Sequence, residues 1–128
     1  MYIVAAVFVD DITLREVEGS MSRIDLTGIQ FSSVVEDNFP MQFAPHLAVL
    51  VRSAPTSPGT GVLEVCYYRN DEQIARNVQP LQIEPGMFAY RLVRAEMEFL
   101  TPGTIEAHCR IDQSDPIVIP YTLTVKQS

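Results

Sequence analysis

The chain has 128 residues, a length that sets a prior of one domain, 1–128, and leaves no room for a second core. Its apolar fraction of 47% and charged fraction of 20% exclude a disordered chain, and a net charge of −7 argues against nucleic-acid binding. The deficit falls early: Asp10, Asp11, Glu16, Glu18, Asp25, Glu36 and Asp37 face only Arg15 and Arg23 before Pro40, a surface that repels phosphate backbones.

Val, Ile, Tyr, Phe and Thr are plentiful, and nine Pro and six Gly break the chain at short intervals. Such runs favour strands over helices and read as about eight short segments of an all-β sandwich. Tyr2–Val9 is the first, nearly all apolar as in a strand covered on both faces. No basic residue precedes this run and Asp10–Asp11 close it, so it is expected to be a first strand at the start of the reading frame rather than a signal peptide. No run reaches the ~18 apolar residues of a membrane helix. The expected location is the cytoplasm, with no membrane partner.

Asp10–Gly19 reads as an acidic loop. Arg23–Phe31 alternates with Ile24 and Leu26 inward, and Gly28 marks a bulge or a close backbone approach. His46–Arg52 is the next clear strand, ended by the Pro- and Gly-rich stretch 53–61. Val62–Arg69 alternates and turns through Asn70-Asp71-Glu72 into Gln73–Val78. In Phe88–Leu100 a helical stripe (Phe88, Leu92, Ala95, Phe99) competes with a strand bulged near Val93-Arg94. The strand is preferred, because Pro102-Gly103 then makes a hairpin into Thr104–Ile111. Ile117–Val125 closes the sheet, and Pro120 suggests an edge position for it.

The order of these segments resembles that of small bacterial proteins of unknown function with an immunoglobulin-like antiparallel β-sandwich of seven to eight strands. The likeness lies in Ala5–Asp10, Ile24-Asp25-Leu26-Thr27-Gly28-Ile29, Pro45–Val49, Leu63–Tyr67, Thr101–Ile105 and Ile119–Leu123. The resemblance implies the fold and brings no activity, cofactor or catalytic residue.

Alternation also orients the two cysteines. Leu63, Val65 and Tyr67 form one face, which puts Cys66 on the other, whereas Cys109 keeps step with the apolar set of Ile105–Ile111. One thiol faces in and one out, so no disulfide is expected, and reduced thiols suit a cytosolic protein.

Catalysis by a thiol needs an adjacent base. His108 and Cys109 are strand neighbours and point apart, so a Cys–His pair requires Cys66 and His108 on the outer face of adjacent strands. The bland alternative, two surface residues, is preferred, and no enzyme is expected. Asp10, Asp11, Glu16 and Glu18 offer carboxylates to a hard cation such as calcium, but lack the order of a calcium loop. No zinc spacing, phosphate-binding Gly loop or cofactor motif is found. The favoured expectation is a non-catalytic interaction or scaffold domain that pairs with itself or a protein partner through an edge strand or through the region Phe39–Phe43. Its candidate contact residues are Phe39, Met41 and Phe43, which either plug the sandwich end or form a patch, together with Tyr68 on the outer face. The alternative is a ligand- or cation-binding module on the loop 10–18.

Overall fold

In a computed structural model, residues 1–17 and 21–126 are described, and they contain β-strands and no helix. The strands are β1 (Tyr2–Val17), β2 (Met21–Gln30), β3 (Ser32–Val35), β4 (Met41–Phe43), β5 (His46–Arg52) and β6 (Thr60–Arg69). They continue with β7 (Glu72–Gln82), β8 (Phe88–Val93), β9 (Met97–Phe99), β10 (Gly103–Ile111) and β11 (Ile117–Val125). A four-stranded sheet, β2-β1-β5-β8, packs on a five-stranded sheet, β3-β11-β10-β6-β7. A two-stranded ribbon, β4-β9, accompanies them. All pairings are antiparallel except β3 with β11.

The core follows from period-2 alternation. Leu47, Val49 and Val51 of β5 meet Leu63, Val65 and Tyr67 of β6 and Ile105, Ala107, Cys109 and Ile111 of β10 in one buried cluster. Each large apolar side chain removed from water here stabilises the fold by roughly 1.5–3 kcal/mol. Phe8 packs edge-on against Tyr121, with ring centroids 4.9 Å apart, and so joins the two sheets.

Four expectations are corrected. The acidic segment after Val9 is no loop up to Val17, because β1 continues and pairs with β2 from Phe8↔Gln30 to Val17↔Met21. Phe88–Phe99 is two strands rather than one bulged strand. The chain breaks at 94–96, so that β8 pairs with β5 and β9 with β4. Thr101-Pro102-Gly103 therefore carries the chain from the ribbon to the five-stranded sheet and makes no hairpin. Finally, β11 lies between β3 and β10 rather than at an edge. Pro120 is tolerated because β3 pairs only with Thr122–Val125. The Thr122 N–H donates to Phe31 O, and the N of Pro120, two residues earlier, faces the same flank where no ladder partner is needed.

The β6–β7 turn is shorter than expected. Arg69 pairs with Glu72, leaving Asn70 and Asp71 as a two-residue loop with φ of 52° and 67°. Positive φ at both positions is the type I′ turn, whose twist suits a hairpin and which Asn and Asp tolerate.

Candidate functional site

Two places gather polar chemistry. The first is the outer face of the five-stranded sheet. Cys66 on β6 is the direct cross-strand partner of His108 on β10, and Glu64 is that of Arg110. Two residues on, Tyr68 stacks its ring at 4.6 Å from the His108 ring. Glu64 accepts from Arg76 Nε at 2.9 Å and Nη2 at 2.6 Å through one oxygen, and from Arg110 Nε at 2.9 Å through the other. These two guanidiniums hold the Glu64 carboxyl below its ordinary range, Arg76 first and Arg110 second.

Cys66 and His108 thus share the outer face of adjacent strands, as a Cys–His pair requires, yet no hydrogen bond joins them among the described residues. His108 Nε2 is buried without a hydrogen-bond partner, its nearest carboxylate being Glu106 at 3.5 Å. Burial raises the Cys66 thiol, and the neighbouring Glu64 charge raises it further. A thiol held protonated is a weak nucleophile, and the cleft in front of it is only about 90 Å³. The second thiol, Cys109, is fully buried in the core.

Both cysteines are free, and they point to opposite faces. A thiol titration with an aromatic disulfide reagent should therefore find no fast-reacting group in the native protein and two after unfolding in denaturant. A count of zero after unfolding would mean a disulfide and overturn this geometry.

The second place is a recess of about 390 Å³ where β1, β2, β3, β4, β5 and β11 converge. The Tyr121 hydroxyl donates to Gln30 Oε1 at 2.8 Å and is hydrogen-bonded to Ser33 Oγ. The Gln30 amide Nε2 donates in turn to Asp10 Oδ1. Gly28, at φ +67°, lies against the Asp10 carboxylate, and a Cβ there would overlap Oδ2. The close backbone approach expected at this glycine is a carboxylate lying over the chain.

Among the anticipated cation ligands, Asp10 and Asp11 are successive residues of β1 and point to opposite faces. Glu16 belongs to the same strand, its side chain lying outside the described residues, as does Glu18 altogether. Among the described residues no three His, Cys, Asp or Glu side chains gather to hold a metal.

Phe39, Met41 and Phe43 lie half-buried against the core, with the Phe43 ring 6.2 Å from Phe99 and 5.6 Å from Tyr121. Sequence reasoning missed Gln30, Ser33 and Tyr121 as partners. Ser33 and Tyr121 stand 88 positions apart, and only the parallel β3–β11 pairing brings them together. No protein-family model matches the chain, and no curated protein matches it either.

Proposed function

We propose that this chain is a non-catalytic interaction domain of immunoglobulin-like topology that pairs with a second copy through the outer face of its five-stranded sheet. For the topology, the support is the strand order. A sheet of β3-β11-β10-β6-β7 facing β2-β1-β5-β8 parallels the arrangement of strands G, F, C and C′ against A, B and E in such sandwiches. The two free thiols suit a reducing compartment, in keeping with a cytoplasmic location.

One observation carries the interaction reading: the charge of that face is balanced while the chain as a whole is at −7. Pairing register puts Glu64 and Glu106 outward together with Arg76 and Arg110. Around them Val34, Val62, Val78 and Val118 stand exposed. For two molecules at −7 each, contact across a face of balanced charge meets less repulsion than contact across an acidic one, so this face suits a second copy better than any partner chosen for charge. Five strands of about nine residues span roughly 600 Å² per copy, at the lower edge of stable interfaces, which implies a concentration-dependent dimer.

Light scattering over a hundredfold concentration range should show the mass rising from 14.3 kDa towards twice that value. Val78→Glu combined with Val118→Glu adds charge at two exposed sites and should hold the protein at the monomer mass throughout. A native mass fixed at that of the monomer over the whole range would overturn the reading.

A further inference from the structure

We propose that the recess beside Asp10 binds a small organic cation, an ammonium or guanidinium group on a short aliphatic body. The hydrogen-bond chain on its wall has a direction. The Gln30 amide oxygen, Oε1, accepts a hydrogen bond from the Tyr121 hydroxyl, so its NH2 group is left to donate onward to Asp10. Asp10 ends this chain and, among the described residues, accepts a hydrogen bond from a neutral amide only. No Lys, Arg or His of the described residues forms an ion pair with it.

Its second oxygen lies over Gly28, where the missing side chain leaves the carboxylate room. An exposed carboxylate held in place by a neutral amide and by the bare glycine under it, with no cationic side chain to balance it, is a pre-oriented counter-ion. Phe43, half-buried, supplies ring surface on the same wall and Pro45 an apolar edge. A ring beside a carboxylate favours a cation with an organic body. A hard metal ion is disfavoured, because it takes six or more oxygens and the recess brings one carboxylate among the described residues. A volume of about 390 Å³ is at the small end of ligand sites. The net charge of −7 draws cations towards the molecule.

The same network could act solely as a staple between the two sheets, and the experiment separates the two roles. Arginine is titrated into the ¹⁵N-labelled protein, with citrulline as its uncharged isostere. Arginine should shift the amide signals of Gly28, Gln30 and His46 saturably, and citrulline should leave them in place. Asp10→Asn keeps an acceptor for Gln30 and should weaken arginine binding at least tenfold. If that variant does not fold, a rise in the melting temperature of the native protein with arginine and not with citrulline serves as the readout. Equal binding of arginine blocked at both ends assigns the cation to a polypeptide side chain, and loss on blocking assigns it to a free molecule. Equal shifts from citrulline, shifts that never saturate, or undiminished binding to Asp10→Asn would each overturn the proposal.

Discussion

Phe99→Ala is expected to cost about 3–5 kcal/mol of stability, read as a fall in the urea midpoint with an unchanged slope. Phe99 is fully buried although it comes from a strand of only three residues. That short strand would not persist on backbone pairing alone, since an isolated two-stranded ribbon is at best marginal. Its ring supplies what the pairing lacks. Phe43 meets it edge-on, and the Arg69 guanidinium lies 5.6 Å from its centroid. Arg69 also donates to Thr101 O at 2.8 Å and Pro102 O at 2.7 Å, fixing the crossing into β10. Truncating the ring opens a cavity and removes the surface on which that arginine rests. The exposed Phe88 is the control, since its truncation should cost less than about 1 kcal/mol. A Phe99→Ala variant within that same margin would mean that the ribbon is not part of the cooperative core. Because Phe43 also walls the recess beside Asp10, a loosened ribbon should weaken cation binding there as well.

How far the residues announce this structure differs between its parts. Alternation in Leu63–Tyr67 and Ile105–Ile111 orients both cysteines, since one face of each strand must be apolar and the period is fixed at two. The same rule applies to Asp11–Arg15 in a fainter form. Ile12 and Leu14 alternate with polar neighbours and pair with Leu26 and Ile24 of β2, but the run is short and flanked by acids, and the Arg15–Asp25 ion pair on the other face depends on a strand partner that no local pattern names. In Phe88–Leu100 the helical stripe arises because two strands in different sheets are joined by three residues, so their phases combine into an accidental period near four. The Cys66–His108 juxtaposition is legible as a possibility, because both fall on outer faces, but adjacency of β6 and β10 is a matter of sheet order. The Asp10 recess is not legible at all. Its members come from six different strands, so only their order in the sheets brings them together, and the parallel pairing of β3 with β11 has no local sequence signal.

Stability should fall steadily as the pH rises above about 9, with Cys109 as the first large source. Burial pushes its thiol from an ordinary 9.0 up to about 12, with the nearby Cys66 adding to the shift. Above 9 the unfolded chain releases this proton while the folded chain keeps it, so the folded state binds more protons and loses ground with each unit. The contribution is fully present below the unfolded value and is lost as the pH approaches the folded one. At 1.36 kcal/mol per unit, the loss from this thiol reaches about 4 kcal/mol by the time its folded value is reached. Tyr67 acts in the same direction from its ordinary 10.0 upward. Its hydroxyl is buried without a hydrogen-bond partner among the described residues, and burial raises it well above its usual range. Urea unfolding at successive pH values measures the slope directly. Cys109→Ala should cost about 1 kcal/mol near neutrality and then flatten the decline between pH 9 and the onset of tyrosine ionisation. A decline in that window as steep as that of the native protein would place the responsible proton elsewhere and return Cys66, also raised by burial, as the group to replace next.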